Sequence, residues 1–201
     1  MEKTYKINEI FYSLQGEGYY TGTPAIFIRF SGCNLCCPWC DTNHRHGTRM
    51  TAGEILLQAK SALNKATPGL VVLTGGEPTL QVDEYLVDCL HSVFPIITIE
   101  TNGTNPVPGN VDFITVSPKT DFVSGPGLVI EKADELKLVF NGKNNPDEWL
   151  SKVATSRHYL QPCDTGDEEE TKCIIKKCVD YCKLHPEWRL SLQTQKILNI
   201  R

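Results

Sequence analysis

Short apolar runs of strand length recur along this chain, and most of them end in a polar or glycine-bearing turn. Residues 25–32 (AIFIRFSG), 70–74, 96–100, 113–117, 136–140 and 159–161 read as strands, rich in β-branched and aromatic residues. Helical spacing fills the gaps. Thr51 and Glu54 form a T-x-x-E capping box ahead of Ile55, Leu56, Ala59 and Leu63, which predicts a helix over 51–66. Further helices are expected at 81–93, 146–154 and 168–184. Strands alternating with helices specify parallel βα units. The count is about six parallel strands and three to four helices, too few for a full eightfold TIM barrel. The expectation is therefore an α/β fold of the partial (βα) barrel type, in one domain spanning 1–201.

The strand ends carry the chemistry-bearing residues: four cysteines after the first, TGGEP at 74–78, ETNG at 100–103, SPK at 117–119 and QPCD at 161–164. Ligands bind at that edge of a parallel α/β sheet. One such turn is ordinary, because Gly, Pro, Asn and Asp belong in any βα loop. Five of them beside a cysteine cluster point to one large site.

Nine cysteines is a high count, and four of them (33, 36, 37 and 40) lie within eight residues. A secreted disulfide scaffold would be shorter and would carry a signal sequence. The N-terminal MEKTYKINEIFYSLQ has no apolar stretch of that kind, and no apolar run reaches the roughly 18–20 residues of a membrane span. A reducing cytoplasm, with no membrane partner, is the expected setting. A net charge of −4 disfavours broad attachment to nucleic acid.

Cys33, Cys37 and Cys40 make C-x3-C-x2-C. Three thiolates on one tight loop can hold three corners of an iron–sulfur cube and leave the fourth iron open. A second register, Cys33, Cys36 and Cys40, is also possible. Structural zinc would want a fourth ligand, available only from Cys36 or His44. Burial as small apolar side chains suits four cysteines beside Pro, Asn and Asp poorly. Cys173, Cys178 and Cys182 fall on an expected helix and read as packing thiols.

The cysteine motif, with an aromatic before its third member, resembles the signature of the radical S-adenosylmethionine superfamily, and TGGEP resembles that superfamily's second element. EIFYSLQGEG at 9–18, TPAIFIRFSGCNL at 23–35, WCDT at 39–42, ETNGT, VSPK, QPCD and HPEWRLSLQTQKILNI narrow the resemblance to the 7-carboxy-7-deazaguanine synthases, from Glu9 to Ile200.

The resemblance implies a carbon–nitrogen lyase of 7-deazapurine (queuosine) biosynthesis. It would convert 6-carboxy-5,6,7,8-tetrahydropterin to 7-carboxy-7-deazaguanine with loss of ammonia. Cys33, Cys37 and Cys40 would hold a [4Fe–4S] cluster, and S-adenosylmethionine would chelate the fourth iron and yield a 5′-deoxyadenosyl radical on reduction. Trp39, Cys40, Asp41, Gly76, Ser117, Pro118, Lys119, Gln161, Pro162, Cys163 and Asp164 would contact S-adenosylmethionine. Leu14, Gln15, Gly16, Glu17, Arg29, Thr74 and Arg201 would contact the substrate, with Arg29 gripping its carboxylate, a role suited to a guanidinium fork. Glu100, Thr101 and Asn102 would line the pocket. Thr42 matches a magnesium ligand; Mg²⁺ prefers oxygen donors and often keeps water or substrate oxygens in its shell. An electron donor such as flavodoxin or ferredoxin and a homodimer are implied as well. The chain departs from one member of that family at Gln195, where that member has a histidine, and in its Asn199-Ile200-Arg201 ending, where that member ends in proline.

Two other functions fit parts of the pattern. A glycyl-radical activating protein uses a similar cysteine loop, but LQGEG and RLSLQTQKILN disfavour it. A zinc-binding interaction module would share the cysteines and lack the visible charge-transfer band of a cluster.

Overall fold

A computed structural model describes residues 2–40, 42–67 and 69–201 of the chain. Strands β1 (Tyr5–Leu14), β2 (Pro24–Phe30), β3 (Thr48–Met50), β4 (Leu70–Gly75), β5 (Ile96–Thr101), β6 (Phe113–Val116), β7 (Glu135–Phe140), β8 (His158–Pro162) and β9 (Trp188–Leu190) join into one sheet. Their order is β3-β1-β2-β4-β5-β6-β7-β8-β9. Every pairing from β2 to β9 is parallel, and β1 and β3 are antiparallel at one edge. All six strands read from the apolar runs are present, within a partial barrel that does not close.

β1 escaped that reading because its pattern is broken. The register shifts between Ile7 and Glu9. Tyr5, Ile7 and Ile10 then pack on the helix-covered face, while Phe11 joins the opposite one. A bulge of this kind destroys the period of two by which a half-buried strand is recognised.

Helices α1 (Ala52–Ala62) and α2 (Glu84–His91) cover β1, β2, β4 and β5. The Thr51 capping box forms: its hydroxyl accepts from the Glu54 amide (3.3 Å) and the Glu54 carboxylate accepts from the Thr51 amide (2.7 Å). Ile55, Leu86 and Leu90 are fully buried against Ile26, Ile28 and Leu73, each stabilising the fold by about 1.5–3 kcal/mol. α2 starts later than expected because the Asp83 carboxylate caps it by accepting from the Leu86 amide. Helix α3 (Glu168–Leu184) covers β7 to β9 through Ile174 and Cys178. Cys182 is half-buried and Cys173 is exposed, so only part of that thiol row packs. The helix expected over 146–154 shrinks to one 3-10 turn, Pro146–Trp149. Beyond it Ala154 is drawn into a parallel bridge with Lys132, which ends any helical path.

Two features of this topology place the site. Because β1 is antiparallel, Leu14 sits opposite Pro24 at the start of β2. The turn after Leu14 therefore enters the interior from the end opposite the cysteine loop. The seam between β9 and β1 is crossed by the last segment, including the short helix α4 (Thr194–Leu198). There the Thr194 amide donates to the Gly16 carbonyl (3.1 Å) and the Ser13 hydroxyl to the Arg201 carbonyl. Phe11 and Phe27, stacked at 5.0 Å, form part of the inner wall.

Candidate active site

The cysteine loop begins where Gly32, at φ +92°, turns the chain out of β2, a left-handed conformation that glycine adopts without strain. Its amide donates to the His44 carbonyl (2.8 Å), which closes the loop. Asn34 ties the loop to the turn after β5: its amide donates to the Thr104 hydroxyl (2.8 Å), and its oxygen accepts from the Asn102 side chain (2.9 Å). From below, the TGGEP turn presses against it. A Cβ on Gly76 would lie 1.9 Å from the Gly32 carbonyl oxygen, and that oxygen accepts from the Glu77 amide (2.8 Å). Glu77 is itself buried and accepts from Thr79, the Thr101 hydroxyl (2.7 Å) and the Asn102 amide (2.8 Å).

Burial pushes the Cys33 and Cys37 thiols up, and the nearby Lys119 ammonium pulls Cys37 partly back. Burial also lowers the Lys119 ammonium to about 8, with its hydrogens donated to the Ser117 carbonyl and hydroxyl.

A second charged cluster lies in the same interior. Lys137, on the all-buried strand β7, contacts the carboxylates of Glu17 (2.6 Å) and Glu100 (3.4 Å). Burial opposes the charge on Glu17, but Lys137 and amide donors from Gln193 (2.9 Å) and Gln195 (3.1 Å) outweigh it and hold the carboxyl at about 2. Burial likewise opposes the Lys137 charge, and Glu100, Glu17 and Glu135 reverse that and raise it. Glu100 accepts from the Gln15 side chain (2.9 Å) and the Thr74 hydroxyl (3.4 Å). Glu135, pushed up to about 7 by burial, accepts from the Tyr19 amide (2.7 Å).

One cavity takes in both clusters. Leu14, Gln15, Gly16, Glu17, Arg29, Thr74 and Arg201 line it, as do Cys33, Cys37, Trp39, Cys40, Thr42, Gly76, Ser117, Lys119, Gln161, Pro162, Cys163 and Asp164. Glu100, Thr101 and Asn102 are there too. Pro118 is buried and does not reach the lining, and Asp41 lies outside the described residues. Cys36 is exposed and absent from the wall. Arg29 projects inward from β2, with Nε 3.1 Å from Glu9, Nη1 donating to Thr42 Oγ1 (3.1 Å) and its guanidinium 5.5 Å from the Phe11 ring. Arg201 shares Glu9 and lies 4.9 Å from the same ring. The cavity also takes in Gln195, singled out in the sequence as the position of an expected histidine, together with Lys137, Gln193 and Lys196, to which no motif assigned a role. Lys137 carried the same signal as Arg29, a lone cation inside an apolar strand (ELKLVF beside AIFIRF).

Residues 27–165 match the model of the radical SAM superfamily. Over 197 residues the chain is 48% identical to the 7-carboxy-7-deazaguanine synthase of Bacteroides thetaiotaomicron, covering 98% of both chains. This chain belongs to the 7-carboxy-7-deazaguanine synthase family. A second relative, the enzyme of that name from Burkholderia multivorans, is 41% identical over 215 residues, with 98% and 99% of the two chains covered. The crystal structure of QueE from Escherichia coli superimposes with a TM-score of 0.71 at 31% identity, over 94% of each chain.

Membership makes the protein a radical S-adenosylmethionine enzyme with a [4Fe–4S] cluster, acting on a small molecule and needing a reductant. The residues present fit that cofactor set. Three free thiols line one cavity together with the Lys119 ammonium. One zinc bonded by three sulfurs at about 2.3 Å would draw them to within about 3.8 Å of one another. Among the described residues, the only trio of His, Cys, Asp or Glu ligand atoms within 4.8 Å is Asp147, His185 and Glu187. Cys33, Cys37 and Cys40 do not form such a trio, and three thiols on one loop match the three irons that a [4Fe–4S] cluster with one open iron leaves to protein ligands. No helix among the described residues is long and apolar enough to cross a membrane.

Proposed function

We propose that this chain converts 6-carboxy-5,6,7,8-tetrahydropterin to 7-carboxy-7-deazaguanine with release of ammonia, in 7-deazapurine biosynthesis, and that the one cavity just described holds both reactants. The observation that carries this reading is the presence, on a single wall, of the Cys33–Cys37–Cys40 loop and an inward guanidinium at Arg29. When bound and reduced, the cluster supplies the electron that cleaves the sulfonium of S-adenosylmethionine to an adenosyl radical.

The chain's own residues bind, orient and enclose. Trp39, Gly76, Ser117, Lys119 and Gln161–Asp164 are assigned to S-adenosylmethionine, the bare backbone of Gly76 permitting close approach. Leu14–Glu17, Thr74, Arg29 and Arg201 are assigned to the pterin. Thr42, between the cysteine loop and Arg29, is assigned to Mg²⁺, whose remaining ligands are substrate oxygens and water. The reading carries with it an electron donor such as flavodoxin or ferredoxin and a homodimer, the latter supported by exposed Ile197, Leu198 and Ile200.

The test is anaerobic turnover with reconstituted cluster, reductant, S-adenosylmethionine and the carboxytetrahydropterin. Formation of the deazaguanine is expected, and its absence with an intact cluster overturns the reading. Arg29→Lys keeps the charge but loses the planar fork. Substrate KM should rise by an amount corresponding to roughly 1–3 kcal/mol, the scale of a charged hydrogen bond. An unchanged KM removes Arg29 from carboxylate recognition.

A further inference from the structure

Lys137 lies at the junction of three segments that reach the cavity from different parts of the chain. Its side chain is 6% exposed. Glu17, which it contacts at 2.6 Å, belongs to the turn that enters from the start of β2. That same carboxylate accepts from Gln193 and Gln195, on the segment crossing the seam between β9 and β1. Glu100, at 3.4 Å, ends β5 and holds Gln15 and Thr74. No hydrophobic contact could register these pieces, since each presents a polar group to the interior. A buried cation with several donors can, provided its charge stays compensated.

We infer that Lys137 is a positioning residue for substrate: its ammonium pins Glu17 and Glu100, and through them sets the Leu14–Glu17 turn, the Gln193–Gln195 segment and Thr74 into one binding wall. This deepens the pterin reading and rests on it.

Charge balance supplies the test. The charged groups facing Lys137 are Glu17, Glu100, Glu135 and, more remotely, Lys119. With the ammonium in place, Glu17 stays ionised throughout the working range; Glu135, the carboxyl of this cluster near 7, holds the Tyr19 amide and titrates in wild type as well, so KM is read as the ratio of mutant to wild type. Removing it by Lys137→Met leaves three close carboxyls and no adjacent cation, so at least one takes up a proton near neutrality. A single proton restores the net charge of the native cluster. The defect should therefore be small at low pH and should grow as pH rises and that proton leaves.

The experiment measures KM and kcat for the carboxytetrahydropterin across pH 6–9 for cluster-loaded wild type, Lys137→Met, Lys137→Arg and Lys137→Met/Glu17→Gln. The ratio of mutant to wild-type KM for Lys137→Met is expected to exceed tenfold at high pH and to fall towards one at low pH, with a much smaller change in kcat. Lys137→Arg should rescue most of the KM and remove the pH dependence. The double variant, having lost one charge of each sign, should also give a flat profile, which keeps the test available if the single variant fails to fold. A pH-independent KM ratio near one for Lys137→Met overturns the inference, as does a loss borne by kcat alone. Sloping ratios in both Lys137→Arg and the double variant overturn it as well. Wild type that makes no deazaguanine overturns the pterin reading, and this inference with it.

Discussion

Cys37→Ser is expected to abolish cluster binding, whereas Cys36→Ser should retain a reconstituted [4Fe–4S] cluster and most of its turnover. The two residues are adjacent, and a tight loop sends neighbouring side chains in different directions. Cys33, Cys37 and Cys40 line the cavity and Cys36 does not; Cys36 and Cys40 are both exposed, so the lining is what separates them. With Cys37 lost, two thiolates remain for three irons, and a serine hydroxyl is a poor replacement for a soft thiolate. Iron content and the broad charge-transfer absorbance of anaerobically reconstituted protein decide the matter, with turnover below detection expected for Cys37→Ser. The opposite pattern would establish the Cys33–Cys36–Cys40 register and leave the enzyme class untouched.

Gly76→Ala should be strongly destabilising although it touches no charged or sulfur-bearing group. Its Cβ would meet the Gly32 carbonyl oxygen at 1.9 Å and the carbonyl carbon at 2.6 Å. Both are backbone atoms, so nothing flexible can step aside. The turn must move away from the cysteine loop, which breaks the Glu77 amide bond to Gly32 and disturbs the Glu77 contacts to Thr101 and Asn102. Overpacking of this kind costs roughly 1–3 kcal/mol and the lost hydrogen bond about 1 kcal/mol more. For a chain of this size that corresponds to a Tm lower by roughly 5–12 °C. The displaced loop should also take up less iron. Gly53→Ala is the control, because a Cβ there meets nothing within 4 Å and lies on α1; it should hold or slightly raise Tm. Wild-type Tm and full iron content in Gly76→Ala would show that the close approach has no structural consequence.

Much of the architecture was legible in local pattern. Residues 70–73 (LVVL) are an uninterrupted apolar run, and 96–99 (IITI) nearly one, because both faces of a central parallel strand are buried, and Thr51 with Glu54 announced α1 by the chemistry of a helix N-terminus. β1 was not legible, since the shift between Ile7 and Glu9 hides its alternation. Nor was the fate of 146–154, whose helical spacing yields to a bridge between Ala154 and Lys132 that joins distant residues. Within the site, the cysteine loop, TGGEP and Arg29 could be picked out because each combines unusual residue types in a short span. Lys137 offered the same cue as Arg29 and went unread because its partners, Glu17 and Glu100, lie 120 and 37 positions away.

By itself, then, the sequence determined what depends on neighbours along the chain: the parallel βα alternation, the helix cap, the thiol spacing that suits three irons, and the turn glycines. The tertiary structure alone decided what depends on charges and carbonyls meeting through space. It brought the Leu14–Glu17 turn into the interior from the end opposite the cysteines, laid the Gln193–Arg201 segment across the open seam, and gathered three carboxylates around one buried ammonium. The physical reason is range. Secondary structure is set by hydrogen bonds and side-chain spacing within a few residues, whereas a buried ion pair needs its partner within about 4 Å and is indifferent to how far away that partner stands in the chain.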